Sequence, residues 1–179
     1  MIIFLGASGS GKSTQGKILA EKLNCPWVST GEILRENLQP EFKKALETGH
    51  LVSDDVILPL LKDQLHKQKA DIRELIGDGW PRNIVQAKWL DENIKNGSIK
   101  LTAIIHLLMK KELAKSRMKQ QGRSDGKAEA IDQRFEEYQA SVLPALDYLK
   151  NLGYKILEID AAGTVDEVGA RVQKTLGLA

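Results

Sequence analysis

The chain has 179 residues, 42% of them hydrophobic and 28% charged, which is the balance of one ordinary globular domain and excludes global disorder. Lys plus Arg number 26 against 24 Asp plus Glu, a net charge of +2, too even for bulk charge to recruit nucleic acid or a membrane surface. A single cysteine, Cys25, excludes an internal disulfide framework and any zinc site built on two or more thiolates, and it points to a reducing compartment.

The apolar start M-I-I-F-L-G has no basic leader, so Ile2 to Leu5 reads as a buried strand and not as an export signal. No later apolar run approaches the roughly 18 residues that a membrane span needs. After a Gly-rich turn, Ile18, Leu19 and Leu23 space out a helix over 13–23, and Pro26 to Ser29 is a short strand candidate. Ile33, Leu34 and Leu38 mark one helix, and Phe42, Ala45 and Leu46 another, which Gly49 ends. Val56 to Leu65 forms a longer apolar stripe, capped by Ser53 or Asp54, with Pro59 either near its first turn or kinking it. Glu74 to Asp78 is a weak strand, and Ile84 to Ile94 a helix ending near Asn96-Gly97. Leu101 to Leu108 is the clearest interior strand, and 113–120 looks helical. Residues 121–127 (Q-G-R-S-D-G-K) break every periodicity and read as an exposed loop. A long helix then runs through Ile131, Phe135, Tyr138, Val142, Leu146 and Leu149, with a bend expected at Pro144. A strand over 154–159 and a helix over 165–176 close the chain. Strands alternating with helices predict a three-layer α/β fold around a parallel sheet, in one domain over 1–179.

Gly6 to Ser13 reads G-A-S-G-S-G-K-S and matches G-x-x-x-x-G-K-(S/T) at every fixed position, between a predicted strand and a predicted helix. Glycines let successive backbone N–H groups curl round phosphate oxygens, and the following helix points its positive end at the same anion. Gly9, Ser10, Gly11 and Thr14 belong to this cradle. Lys12 would reach the β and γ phosphates, and Ser13 would bind Mg2+ or one of its waters. The motif predicts binding of a nucleoside triphosphate, without saying where its phosphate goes.

Four further segments, in order along nearly the whole chain, resemble the adenylate kinase family of nucleoside monophosphate kinases. That likeness implies a P-loop NTPase-type fold with a nucleoside-monophosphate-binding helical insertion at 30–59 and a short lid at 121–127. It also implies phosphoryl transfer between ATP and a nucleoside monophosphate, by a cytoplasmic monomer. Ser29 to Arg35 (S-T-G-E-I-L-R) is similar to S-T-G-D-x-L-R, with Glu32 for Asp. By that likeness Thr30 and Gly31 approach the acceptor base, and Arg35 clamps its phosphate with a bidentate guanidinium. Read alone, Thr30 is equally a helix cap and Arg35 a solvated side chain. Gly49 to Asp54 (G-H-L-V-S-D) resembles G-x-L-V-P-D, which implies that Leu51 and Val52 line the base pocket, with Ser53 in place of proline; both are also plausible core residues. Asp78 to Gln86 (D-G-W-P-R-N-I-V-Q) resembles D-G-F-P-R-x-x-x-Q. Here the likeness implies that Asp78 holds Mg2+ through water, Gly79 lines the acceptor site, Arg82 bridges both substrates' phosphates and Gln86 reads adenine. Asn83 departs towards relatives that accept UMP or CMP, while Thr30 and Gln86 favour AMP.

The stretch R-M-K-Q-Q-G-R-S-D-G resembles the short-lid pattern R-L-x-x-R-G-R-x-D-D. It implies that Arg117 lies against the ATP adenine, that Arg123 and Arg134 reach phosphates, and that Asp125 belongs to the lid. Gln121 and Gly126 depart from the pattern, at a cation and an acid respectively. About seven residues leave no room for the long lid that some members carry, and they include no cysteine to bind zinc. The expected reaction is ATP + AMP ⇌ 2 ADP with Mg2+. A kinase for another small acceptor, or a weakly catalytic P-loop regulatory module, are the alternatives. His50, His66 and His106 lack metal-ligand spacing, His106 reading as a satisfied strand residue and Tyr138 as core or hinge packing.

Overall fold

The computed structural model describes residues 1–36, 40–69, 74–120 and 128–178. Five strands, β1 (Ile2–Gly6), β2 (Trp27–Ser29), β3 (Ile76–Asp78), β4 (Ala103–Leu108) and β5 (Ile156–Asp160), form one parallel sheet in the order β2-β3-β1-β4-β5. The helices are α1 (Lys12–Leu23), α2 (Thr30–Glu36), α3 (Pro40–Thr48), α4 (Asp54–Lys67), α5 (Ile84–Lys95), α6 (Lys111–Gln120), α7 (Ala128–Glu137), α8 (Leu143–Asn151) and α9 (Val165–Leu176). This is the α/β architecture expected from the alternation of elements.

Strand β1 occupies the middle of the sheet, where Ile2 stands in register with Ile76 on one side and Ala103 on the other. Successive side chains of a strand point to opposite faces. Ile3 and Leu5 accordingly pack with Trp80, Leu90 and Leu146, while Ile2 and Phe4 pack with Leu19, Val168 and Val172. Helices α5 and α8 thus cover one face, and α1 and α9 the other. A strand covered on both faces has no use for polar alternation, which is why β1 reads as an unbroken apolar run.

Three helices, α2 to α4, lie between β2 and β3, and α3 packs on both α2 and α7. Helix α2 begins at Thr30, directly after β2 and ahead of the apolar stripe at Ile33. In α4, Ser53 occupies the cap position with extended backbone but makes no side-chain cap bond, and Asp54 is the first helical residue. Pro59 sits in the second turn. The long helix predicted over 131–149 is two helices joined by a π-helical turn, Tyr138–Val142. Pro144 follows at once, in the first turn of α8, so the helix widens just ahead of the proline. Among the described residues, no helix is long and apolar enough to cross a membrane.

Gly6, Ser29 and Asp78 close β1, β2 and β3 at the same, carboxyl edge of the sheet. Open parallel sheets bind ligands beyond that edge, where the strand order reverses.

Candidate functional site

The loop from Gly6 to Ser13 leaves β1 and enters α1 at this edge. Gly9 has φ +81°, and a Cβ there would stand 2.6 Å from the carbonyl oxygen of Ala114, so the close pass of loop and α6 requires glycine. The first turn of α1 holds no acidic residue, which leaves its positive end for an external anion. Lys12 Nζ donates to the carbonyl of Ala7 at 3.4 Å. A polar pocket over the loop is lined by Ser8, Gly9, Gly11, Lys12, Ser13 and Thr14, together with Arg35, Asp78, Arg82 and Arg134 from other elements. Ser10 is buried beneath it, its hydroxyl without a partner among the described residues.

On the floor of this pocket the hydroxyl of Ser13 donates to Oδ2 of Asp78 at 2.6 Å, and Ser29 donates to the same oxygen at 3.2 Å. Oδ1 of Asp78 is buried and accepts no hydrogen bond among the described residues. A buried carboxylate oxygen left without a donor is costly, and such a group calls for an explanation. A carboxylate beside a hydroxyl is an oxygen-only set, suited to a hard divalent cation that keeps most of its waters. Among the described residues, no three His, Cys, Asp or Glu side chains gather as a metal cage.

A second pocket adjoins the first. Thr30, Gly31, Leu34, Leu51, Val52, Gly79 and Gln86 line it, and so do Arg82 and Arg134, which face both spaces. Gly79 has φ +80°, and a Cβ there would stand 2.9 Å from Oγ1 of Thr30. Its carbonyl accepts from Thr30 Oγ1 at 2.9 Å and from Arg82 Nε at 2.6 Å, so one backbone group orients two of the predicted site residues. Arg35 folds back over Gly31 into the pocket above the loop, its guanidinium within 3.3 Å of where a Cβ on Gly31 would lie. Burial pulls the pKa of Arg82 below the ordinary guanidinium value. Asp78 opposes that shift, and the neighbouring cations Arg134 and Arg35 add to it. Arg82 stays charged, since guanidinium does not deprotonate in proteins. The cluster therefore stores like-charge repulsion that a bound polyanion relieves.

The structure brings Lys12, Ser13, Arg35, Asp78, Arg82, Gln86 and Arg134 round this double pocket. Arg117 lies elsewhere: its Nη1 donates to the carbonyl of Ala161 at 3.1 Å and its Nη2 to that of Gly163 at 2.6 Å, tying α6 to the loop after β5. The expected lid at 121–127, with Arg123, Asp125, Gln121 and Gly126, falls outside the described residues.

Sequence reasoning missed three features. Asn83 is the N-cap of α5, its Oδ1 accepting from the backbone N–H of Gln86 at 2.9 Å, which gives its departure from the family pattern a local structural role. The signal was available, because Asn three residues before Gln has the spacing of a helix-start motif. Asp54 accepts from the side chains of both Asn83 and Gln86. Tyr138, at the π-turn and on the wall next to Lys12 and Arg82, shares a 2.6 Å hydrogen bond with Nε2 of the buried His106. Nothing in the local sequence joins either of these pairs, which come together only in the fold.

Comparison with known proteins agrees with this geometry. A family model described as adenylate kinase matches residues 4–154. The adenylate kinase of Mycolicibacterium vanbaalenii is 38% identical over 182 residues, covering 98% of both chains. The adenylate kinases of Mycobacterium tuberculosis and Mycobacterium ulcerans are each 35% identical, again over 98% of both chains. The phosphate loop, the paired pockets and these relatives converge: the chain belongs to the adenylate kinase family of phosphotransferases.

Proposed function

We propose that the protein catalyses the reversible transfer of a phosphoryl group from ATP to AMP, giving two ADP, with Mg2+. One observation carries this reading: Arg82 and Arg134 line both the phosphate-loop pocket and the neighbouring apolar-and-amide pocket. Two guanidiniums shared between two anion sites sit where a phosphoryl group would cross from one substrate to the other.

Gly9, Ser10, Gly11 and Thr14 hold the triphosphate in the loop, and Lys12 reaches towards its β and γ oxygens. Ser13 and Asp78 are the residues that would hold Mg2+, with Asp78 acting through water. The ion supplies charge neutralisation at the triphosphate. The Arg117 hydrogen bonds to the carbonyls of Ala161 and Gly163 use N–H groups in the guanidinium plane, and its flat faces would stack on adenine. Across the crevice, Thr30, Gly31, Leu51, Val52, Gly79 and Gln86 enclose the acceptor nucleoside, Gln86 reading its base edge. Arg35 and Arg82 hold the acceptor phosphate. Residues 30–59 would form the acceptor insertion and 121–127 the lid, which brings Arg123 and Asp125 over the phosphates and excludes water that would otherwise hydrolyse ATP. No covalent intermediate is needed. The protein aligns two anions in line and screens their repulsion with cations fixed in advance.

The test offers Mg-ATP to AMP, UMP, CMP, GMP and dAMP in parallel and resolves the diphosphate products. Transfer is expected to AMP far ahead of the others. Transfer mainly to a pyrimidine nucleotide would reassign the acceptor. Transfer to none of them would overturn the reading.

A further inference from the structure

Among the described residues, the acceptor-side pocket contains one side-chain amide, that of Gln86, and the amide is gripped at both ends. Its Nε2 donates to Oδ1 of Asp54 at 2.8 Å, and its Oε1 accepts from the backbone N–H of Arg82 at 2.8 Å. Asp54 does not line the pocket. It sits at the first position of α4, and both of its oxygens accept from Nδ2 of Asn83 at 3.0 Å. Asn83 is in turn anchored through its Oδ1 to the backbone of Gln86. A carboxylate only accepts and a backbone N–H only donates. Turned over, the Gln86 amide would set its oxygen against a carboxylate and its NH2 against an N–H. The partners' chemistry therefore allows one orientation.

We propose that Asp54 is a positioning residue that locks the Gln86 amide and so makes the pocket select amino bases over oxo bases. The inference rests on the reading of this pocket as the acceptor-nucleotide site. An amide has two donor hydrogens and two acceptor lone pairs. Asp54 and Arg82 take one of each, which leaves one of each for a base. Adenine offers a ring-nitrogen acceptor next to an amino donor. Hypoxanthine, with a carbonyl in place of the amino group, offers a ring N–H donor next to a carbonyl acceptor, the reverse order. A glutamine free to turn over can satisfy either base, whereas a locked one satisfies only the first. Sites that leave buried polar groups unpaired with the wrong substrate discriminate strongly. Selectivity here is thus set one layer behind the residue that touches the base, by a carboxylate on another helix.

The experiment measures kcat/KM for AMP and for inosine monophosphate with the unsubstituted protein and with Asp54→Ala, Asp54→Ser and Asp54→Asn. The unsubstituted protein is expected to prefer AMP. Asp54→Ala leaves only the backbone N–H of Arg82 to oppose the turned amide, and should narrow that preference by about tenfold, the scale of one charge-assisted hydrogen bond, with the value for inosine monophosphate rising in absolute terms. A smaller folded fraction lowers both values in proportion and leaves their ratio unchanged. Asp54→Ser, whose hydroxyl donates or accepts, should behave alike and covers the case in which the alanine variant folds poorly. Asp54→Asn, whose carbonyl can take both Gln86 and Asn83, should hold the preference within about threefold of the unsubstituted value. A preference unchanged in the alanine and serine variants, with both activities falling together, would overturn the proposal and leave Asp54 a structural residue. Equal use of the two nucleotides by the unsubstituted protein would overturn it while the kinase reading stands. Absence of transfer to AMP would overturn the function proposed above, and this inference with it.

Discussion

The two halves of the site are built in different ways. The phosphate-loop half rests on backbone: Gly6 to Ser13 hangs between a central strand and the start of α1, and its position is set by the sheet. The half proposed to take the acceptor rests on side chains. Thr30 and Arg82 meet at the carbonyl of Gly79, and Gln86 is held between Asp54 and the backbone of Arg82. A backbone cradle recognises any polyphosphate of the right length. A side-chain network can distinguish one base from another, and it fails when a single partner is lost. The first half should therefore control rate, and the second half selectivity and acceptor affinity.

The largest effect is expected in the backbone half. Lys12→Met removes a cation from the pocket proposed for the triphosphate, and initial rates of ADP formation should fall about 10²- to 10³-fold. A fall of less than about threefold would detach Lys12 from the reaction.

A smaller effect tests the acceptor half. Gly79→Ala forces a Cβ into a left-handed backbone position, 2.9 Å from Oγ1 of Thr30. Denaturant unfolding should show a loss of about 1–3 kcal/mol. KM for the acceptor should rise about tenfold, because Thr30 and Arg82 hang on the same carbonyl. An unchanged acceptor KM would show that this carbonyl does not organise the pocket.

The smallest effect lies behind the site, at His106. Burial holds its pKa below the ordinary imidazole value, against the opposing pull of Glu158 and Asp147. The fold therefore favours the neutral ring. The stability it contributes is complete above the unfolded value of about 6.5 and is lost as pH falls from there towards the folded value. Tm should drop between pH 7.5 and pH 5.5, and His106→Gln should reduce that drop. An identical pH dependence in the variant would remove His106 from the balance.

The same division explains what could be read from the chain. The phosphate loop is contiguous, so its glycines, lysine and serine announced it, and the unbroken apolar run of β1 announced a strand covered on both faces. Gln86 was found as a residue, but its orientation was not, because it depends on a carboxylate 32 positions away. Asn83 reads as a departure towards relatives that accept UMP or CMP, and its cap bond at the start of α5 shows in the fold. Pro144 signalled a disturbed helix, and the widening into a π-turn ahead of it follows from packing that the local pattern does not encode.

The most direct test of the central claim, that one guanidinium serves both substrates, is phosphoryl transfer by Arg82→Ala beside its thermal unfolding. Burial disfavours this cation, Asp78 favours it, and the nearby Arg134 and Arg35 disfavour it; with these opposed, removing it should leave Tm within a few degrees. Turnover from Mg-ATP to AMP should fall by more than about tenfold. Turnover equal to that of the unsubstituted protein would contradict the account.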